Sequence, residues 1–157
     1  MIRLVPMTAE DYQQFMAWAV PDYAQQQVKA GYWSPEGSTE KAEKVFEGLI
    51  PEGLATASQS FYVIEDEETG RQIGYMWSGV RDEGDRPFVV LYDLVILEPY
   101  RRQGFGRQAL STLEDKVLEQ GLKRIALHVF GHNEGARALY WGSGYTEKSI
   151  TMAKELD

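Results

Sequence analysis

Residues 87–107 read PFVVLYDLVILEPYRRQGFGR, and this stretch decides the fold. Its first eleven residues, 87–97, are almost continuously apolar, which predicts a strand buried on both faces. Glycines follow at positions 104 and 106, and an apolar helical stripe then begins at Ala109. The order therefore predicts a buried strand, a glycine-rich loop and the start of an amphipathic helix.

The loop in this stretch has the composition of an anion site. Two glycines let the backbone approach a ligand closely, and the free N–H groups at a helix start attract negative charge. Arginines at 101, 102 and 107 can add charge-assisted hydrogen bonds. The whole chain of 157 residues carries a net charge of −8, so a basic island here indicates a local phosphate site. The same net charge disfavours general binding to nucleic acid or anionic membranes.

Three kinds of phosphate ligand could use such a loop. Gly104-x-Gly106-x-x-Ala109 satisfies the loose dinucleotide fingerprint, but the next apolar run, 125–130, lacks the acid that binds ribose. A nucleotide P-loop needs Gly-Lys-Ser/Thr, and this chain has Gly106-Arg107-Gln108. The third ligand is the pyrophosphate of coenzyme A.

The rest of the chain predicts an α+β protein. The expected strands are 2–6, 61–65, 72–80, 87–97, 124–130 and 145–153. The expected helices are 9–30, one that begins at Ser38 or Thr39, 104–120, and a short one capped by Asn133. Pro21 is expected to kink the first helix or to start a second one, because proline has no N–H to donate.

Two motifs resemble those of one enzyme family, the GNAT superfamily of N-acetyltransferases. They are Arg101-x-x-Gly104-x-Gly106 after a long apolar strand, and Asn133-x-x-Ala136-Arg137-x-Leu139-Tyr140-x-x-x-Gly144-Tyr145. The matched elements run from about Tyr92 to Tyr145, whereas the first 60 residues match only in element order. Within the family the chain resembles a bacterial subgroup.

The resemblance implies a single GNAT domain over residues 1–157. Residues 1–60 would supply the helices on the acceptor side, and residues 61–157 would form the acetyl-CoA core. The implied fold is α+β, in an α/β/α-like arrangement with about four flanking helices. Its sheet would be mixed and mostly antiparallel, with six to seven strands and a central parallel pair splayed for acetyl-CoA.

The resemblance also implies how acetyl-CoA, the co-substrate, is held. The backbones of Leu94 and Ile96 would pair with the pantetheine amides. The pyrophosphate would be held by the loop residues Arg101, Arg102, Gln103, Gly104, Gly106 and Arg107. Asn133 would contact the pantetheine arm, and Arg137 would reach a phosphate. Tyr140 matches the tyrosine that protonates the leaving thiolate or anchors its sulfur.

Asp93 is the candidate general base or amine-binding acid, because a carboxylate inside the apolar run VVLYDLVIL is costly to bury without a purpose. A chain of waters could serve instead. No metal is expected, since His128 and His132 are the only histidines and no cysteine is present. We expect His128 to pack in the core and His132 to lie in an exposed loop.

The implied reaction is acetyl transfer to a primary amine. The absence of cysteine favours direct attack in a ternary complex over a covalent intermediate. Nine acids against two lysines in residues 34–68 favour a cationic acceptor such as a polyamine, aminoglycoside or peptide amine, and Tyr32 and Trp33 are candidate acceptor-binding residues. The competing function is a non-catalytic acyl-CoA-binding regulatory module.

Two further expectations concern the setting of the protein. The N-terminal residues have neither the basic nor the apolar region of a signal peptide, which favours a cytoplasmic location. The apolar C-terminal strand suggests that two copies could pair as a homodimer.

Overall fold

Five strands form one sheet at the centre of the computed structural model, which describes residues 1–84 and 86–156. In chain order, which is also their order in the sheet, they are β1 (Ile2–Pro6), β2 (Gln59–Asp66), β3 (Gln72–Arg81), β4 (Phe88–Ile96) and β5 (Ile125–Leu127). The first four are antiparallel neighbours, whereas β4 and β5 are parallel. The expected mixed sheet with one parallel pair is confirmed.

Four helices flank the sheet: α1 (Ala9–Lys29), α2 (Ser38–Leu49), α3 (Phe105–Glu119) and α4 (Glu134–Gly142). Phe15 of α1 and Phe46 of α2 pack against one face, in a core with Val63 and Trp77. On the other face, α3 packs over Ile64 and its neighbours. Residues 63 and 64 enter opposite cores because successive side chains of a strand point to opposite faces.

The sheet has five strands in the described residues, not the six to seven that were expected. The strand expected at 124–130 is limited to Ile125–Leu127, because the chain then diverges from β4. The strand expected at 145–153 is absent: residues 146–156 are exposed and make no backbone hydrogen bonds within the described part of the chain. This tail therefore joins no sheet in the single copy.

Helix α1 is continuous through Pro21, which lies on its exposed side. Its start is fixed by Thr8 and Asp11, whose side chains each accept a hydrogen bond from the other's backbone N–H. The side-chain cap expected at the start of helix α2, from Ser38 or Thr39, is not present. Gly37 precedes the helix in a left-handed conformation, and Ser38 is its first residue. No described helix is long and apolar enough to cross a membrane.

Candidate active site

A gap opens between β4 and β5 after three residue pairs. Val89–Leu91 pair with Ile125–Leu127, and β4 then continues to Ile96 with a free edge. The N–H of Leu97 donates to Ile73 on the β3 side at 2.8 Å, so backbone alternation turns the polar groups of Leu94 and Ile96 toward the gap. These are the two residues expected to pair with pantetheine amides.

A bulge in β4 determines which side of the sheet Asp93 faces. Trp77 lies opposite Asp93 and Ser78 lies opposite Leu91, so Tyr92 is the extra residue on β4. The Tyr92 ring stacks on Trp77 with centroids 4.5 Å apart, on the side of α1. The bulge therefore places Asp93 on the same side, at the edge of the gap.

The surroundings of Asp93 favour its neutral form. Burial, and then the nearby carboxylate of Asp22 in α1, raise the pKa of its carboxyl to about 7, against the opposing effect of the backbone N–H of Leu94. The pKa of Asp22 is also raised by burial, against a hydrogen bond from Gln26. Near neutral pH, Asp93 is therefore close to half-ionised and can take up or release a proton.

Tyr140 lies on α4, on the face of the sheet opposite to Asp93. Its ring packs against the core beneath α3 and contacts Tyr145 edge-on at 5.8 Å. Burial, and then the charge of Asp93, raise the pKa of its hydroxyl to about 12. Tyr140 therefore stays protonated at neutral pH, and it is close enough to Asp93 for the charge of Asp93 to disfavour ionisation of the hydroxyl.

The loop before α3 leaves backbone N–H groups unpartnered by side chains. Gly104 precedes the helix in a left-handed conformation (φ 83°), and no side chain caps the helix. The first N–H groups of a helix have no acceptor inside it, so those of residues 105–107 are available to an anion. A Cβ on Gly106 would lie 3.1 Å from the Leu139 side chain of α4, so α3 and α4 pack closely here and a larger residue would require Leu139 to shift.

The arginines of this loop differ in their surroundings. Arg101 donates from Nε to the carbonyl oxygen of Ile96 at 2.7 Å, which ties the loop to the free end of β4. Arg102 is exposed and adopts a left-handed backbone conformation (φ 63°) that is uncommon for residues other than glycine. Arg107 is exposed on the first turn of α3, and Gln103 donates to Pro99 at 3.4 Å.

Asn133 and Arg137 make local contacts around α4. The Asn133 side-chain oxygen accepts from the N–H of Ala136, so the expected cap is present. Arg137 donates to the carbonyl oxygen of Gly131 at 2.9 Å, and its guanidinium lies 4.7 Å from the centre of the Trp141 ring. Within the described residues, Arg137 thus contacts groups next to and within α4 and makes no hydrogen bond to the loop before α3.

The sequence reasoning missed Asp22, which acts on Asp93, and its hydrogen-bond partner Gln26. Asp22 and Gln26 are one helical turn apart on α1, and Gln26 also contacts the ring nitrogen of His132. The two residues are four positions apart, so they lie on the same face of a helix, and this polar pair just after Pro21 is the signal that could have identified them. The expectation for the histidines was wrong: His132 is partly buried against Gln26 and Phe130, whereas His128 is exposed.

The acceptor-side aromatics lie at the end of α1. Trp33 packs edge-on against Tyr23 at 5.7 Å and has the ammonium of Lys41 5.8 Å from its ring centre, while Tyr32 is half exposed. The acids of α2 are exposed, and Glu65 of β2 pairs with Arg3. The acids that interact with each other between α1 and β4 are instead Asp22 and Asp93. Within the described residues, no cluster of three or more His, Asp or Glu side chains could hold a metal ion.

Known proteins are similar to this chain in sequence and in fold. The model of the acetyltransferase (GNAT) family matches residues 12–145. Two relatives in Bacillus subtilis, both called uncharacterized N-acetyltransferases, align over nearly their full length. YycN is 34% identical over 99% of each chain, and YdgE is 33% identical over 98% of this chain and 97% of its own.

The crystal structure of YycN superposes on this chain with a TM-score of 0.94 over 99% of both chains. An aminoglycoside acetyltransferase from a soil metagenome, solved with sisomicin, is 16% identical with a TM-score of 0.61 over 99% of this chain and 97% of its own, and so shares the fold alone. The antiparallel order of β1 to β4 also excludes the doubly wound dinucleotide fold. The chain belongs to the GNAT family of acetyltransferases.

Proposed function

We propose that this acetyltransferase moves an acetyl group from acetyl-CoA directly to a primary amine in a ternary complex, with the cytoplasm as its compartment. The observation that carries the proposal is that the charge of Asp93 acts on the hydroxyl of Tyr140, although the two residues lie on opposite faces of the sheet beside the end of β4 that β5 does not pair with. A group that accepts a proton and a group that donates one thus flank the place where a thioester can lie.

The residues around the gap fit coenzyme A. The Leu94 carbonyl oxygen and the Ile96 N–H face the gap on the free edge of β4, which suits the amides of pantetheine, while the Ile96 carbonyl oxygen already accepts from Arg101. The uncapped start of α3, with Arg101, Arg102 and Arg107 around it, suits a pyrophosphate. Gln103, Gly104 and Gly106 complete this cradle, and Asn133 faces the pantetheine arm in the proposal.

Asp93 is the proposed proton acceptor. A primary amine has an ordinary pKa of about 10.4 and must lose a proton before it can attack. The amine nitrogen then bonds to the thioester carbon, the carbon–sulfur bond breaks, and the proton passes to Asp93 or through water beside it. The Ile96 N–H faces the gap and is the proposed donor to the developing oxyanion, because the Leu94 N–H already interacts with the Asp93 carboxylate.

Tyr140 is the proposed donor to the departing sulfur. Its raised pKa keeps the hydroxyl protonated at any pH where the enzyme works, so it can hydrogen-bond the thiolate as charge develops there. The interaction strengthens only as the carbon–sulfur bond breaks. Its loss should therefore lower turnover more than acetyl-CoA binding.

The acceptor is proposed to be cationic. Asp22 and Asp93 are two acids beside the gap, and a carboxylate pair attracts an ammonium group. Tyr32 and Trp33 at the end of α1 are the proposed contacts for the rest of the acceptor, which could be a polyamine, an aminoglycoside or a peptide amine. Arg137 remains a proposed phosphate contact, although it must leave Gly131 to make it.

The test has two stages. Saturating acetyl-CoA should raise the melting temperature by about 5–10 °C, whereas NAD should have no effect. An amine panel of polyamines, aminoglycosides and short peptides is then screened for thiol release from acetyl-CoA. Tyr140→Phe is measured in the same assay, and Tyr62→Phe, which removes a hydroxyl from β2, is its control. Binding of acetyl-CoA without any amine-dependent thiol release would favour the non-catalytic module.

A further inference from the structure

A polar contact joins helix α1 to the loop before α4. The side chains of Gln26 and His132 lie within hydrogen-bond distance of each other, although 106 positions separate them in the sequence, and both are partly buried. Gln26 also reaches Asp22, one helical turn earlier, at 3.5 Å. The three side chains therefore form a chain of contacts that begins in the loop and ends at the acid that acts on Asp93.

The loop before α4 holds the ring of His132 in place. The imidazole stacks on Phe130, with ring centroids 5.5 Å apart and an angle of 15° between the two planes. At the next residue, the N–H of Asn133 donates to the carbonyl oxygen of Phe130 at 3.0 Å, and the Asn133 side chain caps α4. The imidazole is thus part of an ordered turn, from which its Nε2 meets Gln26.

The chemistry of the three groups determines which way the Gln26 amide points. An ionised carboxylate only accepts hydrogen bonds, so Gln26 must present its NH2 group to Asp22. Its carbonyl oxygen then faces His132, which must donate from Nε2. The contact with His132 is the shorter of the two, so the imidazole determines the position of the amide. Without the imidazole, the amide could turn its oxygen toward the carboxylate, and two acceptors would then face each other.

We propose that Gln26 and His132 are positioning residues for the amine acceptor: His132 fixes the Gln26 amide, and the amide holds the Asp22 carboxylate in the orientation that binds the ammonium group of the acceptor. In the proposed function, on which this inference rests, Asp22 and Asp93 attract that group. Burial raises the pKa of Asp22, whereas the hydrogen bond from Gln26 lowers it, so the amide also favours the charged form that attracts a cation. The loop before α4 thereby takes part in acceptor binding through α1.

The first experiment tests the contact without any acceptor. Gln26→Met and His132→Phe roughly keep the size of each side chain but remove its hydrogen-bonding groups, and Phe can still stack on Phe130. Urea unfolding is measured for wild type, both single variants and the double variant. We expect the double variant to lose less stability than the sum of the two single losses, because the two side chains share one interaction. Additive losses would show that the two side chains do not interact and would overturn the proposal.

The second experiment measures amine-dependent thiol release from acetyl-CoA with the best acceptor of the panel. Gln26→Met and His132→Phe should each raise the KM of the acceptor about 10-fold, since the loss of a hydrogen bond to a charged group has an effect of this order. The KM of acetyl-CoA should stay nearly the same. His132→Gln, whose NH2 group can donate to Gln26, should recover most of the lost acceptor affinity. An unchanged acceptor KM in both variants would overturn the proposal.

Two matched variants are the controls for these substitutions. Gln25→Met changes an exposed glutamine one position earlier on α1, and His128→Phe changes an exposed histidine that precedes Phe130 by two positions. Neither should change the KM of the acceptor or of acetyl-CoA. A rise in the acceptor KM of the same size in the controls would show that the effect is not specific to the contact, and the proposal would be wrong.

The decisive comparison repeats Gln26→Met in the Asp22→Asn background. That background has no carboxylate to orient, so Gln26→Met should raise the acceptor KM no further. A second rise of the same size would show that Gln26 supports the site in another way, and the positioning role would be refuted.

The two experiments distinguish failure of the positioning role from failure of the proposed function. If no amine in the panel causes thiol release in the wild type, the proposed function is wrong and the positioning role falls with it, whatever the unfolding measurements show. If the wild type transfers acetyl groups while Gln26→Met and His132→Phe keep its acceptor KM, the positioning role alone is wrong.

Discussion

Replacement of Asp93 by Asn should stabilise the protein at neutral and alkaline pH while it removes the proposed proton acceptor. Asn has nearly the shape of a protonated Asp, but it can never carry the charge that the site disfavours. The carboxylate of Asp93 is buried beside Asp22, and these two causes raise its pKa from 3.8 to about 7. The folded wild type therefore holds a proton that the unfolded chain releases.

The sign and size of the effect follow from this difference. Below about pH 4 the carboxyl is protonated in both states, and above about pH 7 it is ionised in both. Between these values the folded state binds more protons, so wild-type stability falls as the pH rises. One pKa unit corresponds to about 1.4 kcal/mol, so the full shift is worth up to about 4 kcal/mol. The variant should gain this amount relative to wild type at pH 8, and nothing at pH 4.

Urea unfolding at pH 4, 5, 6, 7 and 8 measures the difference in unfolding free energy between wild type and Asp93→Asn directly, provided that the slope of this free energy against urea concentration is the same for both proteins. Asp115→Asn, an exposed acid on α3, is the control and should differ little from wild type at each pH. The reasoning about Asp93 is refuted if Asp93→Asn is less stable than wild type at pH 8, or if the difference between the two proteins does not change with pH.

Three other substitutions test separate parts of the site. Tyr140→Phe should lower kcat about 100-fold or more with little change in the Kd of acetyl-CoA, and an unchanged kcat would remove the hydroxyl from the reaction. Asp22→Asn removes a charge that raises the pKa of Asp93, so the acidic limb of the pH–rate profile should move to lower pH; a limb that stays in place would show that the two acids do not interact. Gly74→Ala should destabilise the protein by about 1–3 kcal/mol in urea unfolding, because its Cβ would overlap the carbonyl oxygen of Val95. Gly48→Ala, with open space around it in α2, should not be destabilising, and a similar loss in both variants would contradict the argument.

The second half of the fold could be predicted because its sequence signals are local. The apolar run before the loop, the glycines at 104 and 106, and Asn133 each act within a few residues of their own position. The structure accordingly has β4, the uncapped start of α3 and the cap of α4 where the sequence indicated them.

The parts that failed depend on contacts between distant segments. The strand expected in the tail needs a neighbouring edge, and its alternating apolar residues do not reveal whether that edge is in the same chain. The side of the sheet that Asp93 faces depends on the bulge at Tyr92, which arises from pairing with β3. Asp22 is 71 positions earlier in the sequence and meets Asp93 only because α1 packs on that face.

The acceptor-side residues, 1–60, were the hardest part of the site to predict from the sequence, for the same reason. Acids in residues 34–68 suggested a cationic acceptor, yet those of α2 lie in solvent. Net charge along the sequence thus favoured the acceptor class that we propose, whereas the carboxylates on which that proposal now rests come from α1 and β4.

The central claim is that Asp93 accepts the proton of the attacking amine, and the most direct test is the pH dependence of kcat/KM. Amine-dependent thiol release should be measured from pH 5.5 to 9.5 for wild type and Asp93→Asn, with the best acceptor from the panel. We expect a wild-type limb near pH 7, where Asp93 ionises, and a variant that is at least about 100-fold slower and lacks this limb. A variant with the wild-type rate and the same limb would contradict the account and assign the proton to a chain of waters.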